Sequence, residues 1–298
     1  MKVIVQPDAG VTPVLSAIKQ AKKSIDILIF RLNRGDVASA LEAAVARGVS
    51  VRALTAHTNS GGEKHLRRLE LELLEAGVTV SRTADDLIRY HGKMLIVDGR
   101  VLQVYGFNFT TLDLTKSRSF GLVTRNARLV AEAGRLFSAD FDRQPYVPRH
   151  DRLIVSPENA RERLAALIRG ARRQLLIYDP HASDDQMLQL LTERLDAGVD
   201  VRILGKVESK WDLPWRKPEG SRLHVRAIIR DGRRAFVGSQ SLRRLELDNR
   251  REIGLIVNDR RAVEQLQVVF ERDWALTPAA RKGRKRAQKQ QSETVPSA

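Results

Sequence analysis

The sequence predicts an α/β protein made of one module written twice, each copy a mixed β-sheet flanked by helices. Three observations carry that prediction: an internal repeat, apolar residues at helical spacing, and short β-branched runs between the helices. The repeat first shows at an offset of 150, where Ala17-Ile18-Lys19-Gln20-Ala21-Lys22-Lys23 matches Leu167-Ile168-Arg169-Gly170-Ala171-Arg172-Arg173. Gly48-Val49-Ser50-Val51-Arg52-Ala53-Leu54 matches Gly198-Val199-Asp200-Val201-Arg202-Ile203-Leu204 at the same offset. Further along the offset is 133, pairing His91 with His224, Asp98 with Asp231, Gly121 with Gly254 and Phe137 with Phe270. The second copy has the shorter middle segment.

Within the first copy the elements follow in order. Val14 to Lys23 carries apolar residues at helical spacing, and Ser24 to Phe30 is an apolar strand. Ala38 to Arg47 is the next helix, with Gly48 as its C-terminal cap. Val49 to Leu54 is a strand, and Glu63 to Ala76 a helix with Leu66, Leu69 and Leu73 on one stripe. Gly77 to Val80 opens another strand. The boundaries predicted are a first repeat over 1–145, a linker over Arg143 to Arg152, a second repeat over 153–276 and a tail over 277–298. The tail places six cations and one acid among Ala, Gln and Ser, a composition too polar to offset the entropy of ordering.

The net charge of +16 predicts a polyanionic partner: nucleic acid, an anionic membrane surface or a phosphorylated substrate. The absence of cysteine excludes disulfides, thiolate metal sites and a cysteine nucleophile. No apolar run approaches the roughly 20 residues of a membrane span, and Met1 to Asp8 lacks a signal-peptide layout. The expectation is a cytoplasmic protein, in solution or peripheral to a membrane. Oligomeric state is left open.

The chemistry is concentrated in Tyr90 to Gly99. If His91 to Val97 is a strand, His91 and Lys93 point to one face, an imidazole beside an ammonium suited to gripping an anion. Gly106-Phe107-Asn108 then ends the following strand at a turn whose N–H groups could reach the same phosphate. The second copy supplies His224, Arg226 and Asp231, followed by Gly238-Ser239-Gln240-Ser241. Two such half-sites would converge if the copies pack about a pseudo-twofold axis.

His91-x-Lys93-x4-Asp98 and His224-x-Arg226-x4-Asp231 resemble the paired HKD motifs of the phospholipase D superfamily. The resemblance spans roughly residues 1 to 275. It implies a phospholipase D-like fold packed as a pseudo-twofold dimer of repeats. It also implies a two-step phosphodiesterase reaction: one His attacks phosphorus to give a phosphohistidine, and the other protonates the leaving alcohol and then activates water or an acceptor alcohol. Lys93, Arg226, Asn108, Ser239 and Ser241 would bind phosphate oxygens, while Asp98 and Asp231 would be structural. No cofactor or metal is implied, and no metal-ligand spacing flanks either motif.

The pattern departs from the family at several positions. Arg226 stands where the family has Lys, Tyr105-Gly106 replaces the Gly-Ser pair, and Ser241 replaces Asn. The downstream carboxylate that orients each His survives as Glu252 and is Ser119 in the first copy. By register Glu252 is expected to support His224. The family more often uses the first His as nucleophile, whereas these local residues favour His224, so the assignment stays open. Trp211 and Trp215, among cations in a loop before the second motif, suit a lipid headgroup, stacked bases or simple packing. His57, His65, His150 and His181 have no repeat partner and are expected to be solvated or packing residues. Phospholipid hydrolysis or phosphatidyl transfer is the favoured function; a metal-independent nuclease and a degenerate phosphate- or membrane-binding protein are the alternatives.

Overall fold

The computed structural model describes residues 1–57, 63–218 and 222–278, with the side chain of Glu63 also outside the description. Of the expected basic tail only Thr277 and Pro278 fall within the described residues.

The first repeat contains strands β1 (Lys2–Gln6), β2 (Ser24–Ile29), β3 (Ser50–Thr55) and β4 (Thr79–Arg82), separated by helices α1 (Thr12–Gln20), α2 (Gly35–Ala46) and α3 (Glu63–Glu75). There follow β5 (Arg89–Tyr90), β6 (Met94–Val97), β7 (Val101–Tyr105), α4 (Thr111–Thr115), β8 (Ser117–Thr124) and α5 (Ala127–Phe141). The second repeat begins with β9 (Leu153–Val155), α6 (Ala160–Arg169), β10 (Gln174–Ala182), α7 (Asp185–Asp196), β11 (Asp200–Val207) and β12 (Trp215–Arg216). It ends with β13 (Arg222–Leu223), β14 (Arg226–Arg230), β15 (Arg234–Gly238), α8 (Arg244–Asp248), β16 (Arg250–Arg251), β17 (Ile253–Val257) and α9 (Arg260–Ala275).

The two sheets have one topology. The first runs β1-β8-β7-β6-β2-β3-β4 and the second β9-β17-β15-β14-β10-β11-β12, strand for strand in the same order. In each, the βαβ half is parallel, as β2 beside β3 and β10 beside β11, while the hairpin half is antiparallel. The helices between the parallel strands exist because such a crossover must return along one face of the sheet.

Alternation of side chains sorts the core into three parts. One face of the first sheet buries Ile25, Ile27, Val51 and Ala53 against α1, α2 and α3. One face of the second buries Leu175, Ile177, Val201 and Ile203 against α6 and α7. The remaining faces share a core with α5 and α9, including the repeat-related Phe137 and Phe270. Each large side chain buried there contributes about 1.5–3 kcal/mol, so the junction between repeats is as much a core as either half.

Charged groups hold that junction in matched pairs. Arg118 bonds Asp273 at 2.8 Å, and its repeat partner Arg251 bonds Asp140 at 3.1 Å. Arg118 Nη1 also donates to the Gln6 carbonyl and Arg251 Nη1 to the Ser156 carbonyl. Each pair crosses from one repeat to the other, which makes the relation between the copies a pseudo-twofold.

The short strands cross as well. β5 pairs in parallel with β16, and β13 pairs in parallel with β8. The segment leading to each histidine is therefore laid on the opposite repeat. The strand predicted from His91 begins later than expected: β6 starts at Met94, and its repeat equivalent β14 at Arg226, so His91, Lys93 and His224 lie on the connections before them.

Candidate active site

Those connections fix the histidines through their backbones. His91 N–H and Gly92 N–H both donate to the carbonyl of Arg251, at 2.7 and 3.0 Å. His224 N–H donates to the carbonyl of Arg118 at 3.1 Å, the repeat-related bond. Gly92 has no room for a side chain: a Cβ there would lie 2.6 Å from Ile253 Cδ1. Gly106 is less tightly held, where a Cβ would come 3.1 Å from the Gly238 carbonyl across the pseudo-axis.

The carboxylate expected beside His224 belongs to the other ring. Glu252 accepts from His91 Nδ1 at 2.8 Å and is itself fully buried. The reason is the strand crossing. β5 runs alongside β16, so the residue after β5 reaches the residue after β16, and those are His91 and Glu252. The repeat equivalent of Glu252, Ser119, sits next to His224 in the same way, but its hydroxyl donates to the His224 carbonyl at 3.0 Å, not to the ring. His91 is thus the better supported imidazole, reversing the expectation drawn from register.

Lys93 completes the first half-site. It is 1% exposed, and its Nζ lies 2.9 Å from His91 Nε2 and 2.6 Å from the His91 carbonyl. With Nδ1–H committed to Glu252, Nε2 carries the lone pair and Lys93 donates to it. The Phe30 ring packs edge-on against His91 at 4.4 Å, closing one side. Burial, reinforced by Lys93 and Arg226, drives the His91 pKa well below its ordinary value, so the ring is neutral. Burial likewise lowers Lys93 to about 7, with Glu252 opposing and Arg226 adding to the shift. Glu252 is pushed up by its own burial, and Lys93, Ser239, Arg226 and Arg250 pull it back.

A second carboxylate stands beside His224, one not foreseen in the sequence. Asp113 Oδ2 lies 3.6 Å from His224 Nδ1, too far for a hydrogen bond but close enough to favour an imidazolium. Asn108 N–H and Nδ2 donate to the same oxygen at 2.9 and 2.8 Å, and Arg222 bonds the other. Burial raises the Asp113 pKa, but His224, Asn108 and Arg222 outweigh it and hold the group below the usual carboxylate range. Burial, with Arg226, also carries His224 well below its ordinary value. A signal for Asp113 existed: at the offset of 133 its partner is Glu246, so both copies place an acid at that point.

The remaining predicted residues divide. Arg226 donates from Nε to Ser241 Oγ at 3.3 Å, and its buried Nη1 has no hydrogen-bond partner. Asn108 spends its amide on Asp113, and Ser239 lies between the Ile253 N–H and carbonyl. Asp98 accepts from the backbone N–H groups of Lys22, Lys23 and Ser24, and Asp231 from those of Arg172, Arg173 and Gln174. Both aspartates have left-handed backbones, φ 54° and 55°, and tie a hairpin turn to the end of a helix away from the rings. Trp215 is 36% exposed on a cavity of about 570 Å³ that Arg222 also lines, while Trp211 is half-buried near Asp185. Of the unpaired histidines, His181 lies 3.4 Å from Glu208 and His150 accepts from the Arg152 N–H. Among the described residues, no three His, Cys, Asp or Glu are grouped to hold a metal ion.

What the arrangement can do follows from its charges. Lys93 and Arg226 act electrostatically on both imidazoles, so an ammonium near its own pKa and a guanidinium with an open Nη1 bear on one pair of rings, a cluster that favours an anion.

Comparison with known proteins bears on the family and the fold. The family described as cardiolipin synthase, phospholipase D-like domain matches residues 14–141 and 164–274. The human mitochondrial cardiolipin hydrolase is 29% identical over 137 residues, 46% of this chain; the chain spans about half, 51%, of that relative's length. Polyphosphate kinase from Porphyromonas gingivalis superposes with a TM-score of 0.75 over 91% of this chain and 49% of its own, at 21% identity. Phosphatidylserine synthase from Haemophilus influenzae Rd KW20 gives 0.69 over 93% of this chain and 87% of its own, at 12% identity. Those two likenesses are of fold. Because the matched family covers both repeats and most of the residues between the termini, the chain belongs to the phospholipase D-like family.

Proposed function

We propose that the chain is a phosphodiesterase in which His91 is the nucleophile and His224 the general acid, acting on phospholipid. The observation that carries this reading is the bond from His91 Nδ1–H to Glu252. It fixes the tautomer with the lone pair on Nε2 and makes that nitrogen more basic.

In the first step His91 Nε2 forms a bond to phosphorus while the bond from phosphorus to the leaving oxygen breaks. That oxygen takes its proton from His224, whose ring is neutral in the empty site and takes up a proton from solvent when the anionic phosphodiester joins Asp113 in stabilising the imidazolium. In the second step water, or an acceptor alcohol, gives a proton to neutral His224 and its oxygen bonds phosphorus. The N–P bond breaks and its electron pair returns to Nε2. A bound phosphodiester supplies the negative charge that draws Lys93 from Nε2 onto a non-bridging oxygen, freeing the lone pair as substrate arrives. Arg226, through its open Nη1, takes the other oxygen.

The phospholipid reading draws on the cardiolipin-acting relative and on the partly exposed Trp215, which lines a cavity together with Arg222, the partner of Asp113. Among the described residues no helix is long and apolar enough to cross a membrane. A nuclease is the second reading. Arg89, Arg226 and Arg250 all act electrostatically on His91, and Arg222 does so on His224, a rim suited to a chain of phosphates.

Purified protein in EDTA, given fluorescent cardiolipin and phosphatidylcholine, single-stranded DNA and bis-p-nitrophenyl phosphate, tests the reading. Turnover of lipid supports it; cleavage of DNA alone replaces it with the nuclease. Binding of all substrates with turnover of none makes the protein a binding module. With the nitrophenyl ester, whose leaving group needs little protonation, His224→Ala should still release a burst of nitrophenol and His91→Ala should not. The opposite pattern would exchange the two roles.

A further inference from the structure

The first repeat holds a cavity of about 930 Å³ between α1 and strands β1, β8, β7 and β6, at the Val97–Asp98 end of β6, whereas His91 precedes the other end. Its origin is visible in the repeat. At two positions where the second copy buries a large apolar side chain, Leu167 and Phe236, the first has Ala17 and Gln103. In the second copy those side chains belong to the core beneath α6. In the first, the space they would fill is open.

The cavity is not simply a packing defect, because its floor is a polar group held in place. Gln103 is 4% exposed, and the buried Tyr105 hydroxyl donates to its Oε1 at 2.8 Å. That bond leaves the amide N–H groups without a protein acceptor, facing the cavity that Gln103 lines. Those N–H groups are open to the cavity, where an oxygen of a ligand can accept from them in place of solvent. Val101 and Val123 supply apolar wall on either side.

The rim is cationic. Lys2, Lys22, Arg100 and Arg125 all line the opening, all are exposed, and none forms an ion pair among the described residues. The one acid of the lining, Asp98, is occupied by three backbone N–H groups. Apolar walls, an amide donor at the floor and four exposed cations together select an amphiphile with an anionic head.

We propose that this cavity is a second ligand site, distinct from the histidine centre, for a small phosphate monoester with an apolar body. The phosphate sits among Lys2, Lys22, Arg100 and Arg125, the apolar body lies on Val101 and Val123, and an oxygen of the ligand accepts from Gln103. The site does not depend on the reaction assigned to the histidines.

The test is calorimetric titration of the full chain with dihexanoyl phosphatidate and with inorganic phosphate, alongside hydrogen-exchange mapping. The short phosphatidate should protect segments 12–22 and 97–103, and inorganic phosphate should bind there at least about tenfold more weakly, since it lacks the apolar body. Gln103→Phe, which installs the residue of the second repeat, should abolish that protection while turnover at the histidines stays as in the parent. Arg100→Glu with Arg125→Glu, both surface changes, should weaken phosphatidate at least about tenfold even if Gln103→Phe fails to fold. Equal affinity for the two probes would reduce the site to a bare phosphate cluster and overturn the amphiphile. Protection confined to segments around His91 and His224, or full protection in a folded Gln103→Phe protein, would overturn the site itself.

Discussion

Glu252 binds the imidazole of His91, a residue 161 positions away in the other repeat, and leaves untouched the histidine of its own. Glu252→Gln keeps the shape but lets the amide donate to the ring, which favours the wrong tautomer. Turnover should fall by about 10²–10⁴, with little change in KM. Ser119→Ala, at the matching position, removes only a bond to a carbonyl and should cost less than about tenfold. Steady-state kinetics of the two variants checks the asymmetry; equal losses would contradict it.

Affinity for an anion at the histidine centre should depend on pH through Lys93, whose pKa lies at about 7. The charged form is the one that binds. Affinity for a slow phosphodiester analogue should therefore be full below pH 7 and decline as pH rises through it. Binding near that pH should also take up protons. Calorimetry in buffers of different ionisation enthalpy measures both effects, and proton release on binding would refute the assignment.

Arg226 tests whether the departure from the family's lysine matters. Arg226→Lys keeps the charge but loses the bond to Ser241, so KM should rise severalfold and turnover should stay within about tenfold. Arg226→Ala removes the only cation of the second half-motif and should lower kcat/KM by about 10²–10³. Indistinguishable kinetics for the Lys and Ala variants would show that no phosphate oxygen reaches this position.

The crossing ion pairs should govern stability. Arg251→Ala strands the buried carboxylate of Asp140 and should cost about 3–5 kcal/mol. Burial already raises Asp140 to about 6, above the unfolded value. A folded-state pKa raised in this way gives stability that is present at low pH and lost as pH rises through it. Without Arg251 that pKa rises further, so urea denaturation should find the variant's deficit larger at pH 8 than at pH 5.

Much of the fold was legible because duplication doubles every signal: Gly48 and Gly198, or Phe137 and Phe270, confirm each other in register. The pairing of His91 with Glu252 was not legible. It depends on β5 and β16, strands of two residues each, too short to show any period, joined across the pseudo-axis. Register alone assigns Glu252 to its own copy, and only the crossing reassigns it. Asp113 was missed for a different reason. It lies on α4, a helix of one turn in which an acid reads as solvent-facing, although its match with Glu246 was on the page. The early expectation of a strand through His91 led to the right neighbour, Lys93, by the wrong geometry.

The exchange of carboxylates between halves bears on how such a protein can change. In an assembly of two identical subunits, any substitution appears at both centres at once, and the two must remain alike. Joined in one polypeptide, the halves are released from that symmetry. One imidazole can keep a full-strength acid at its back while its twin makes do with a distant one and a serine, so that attack and proton delivery become separate trades. Each trade is then hostage to residues encoded in the opposite half.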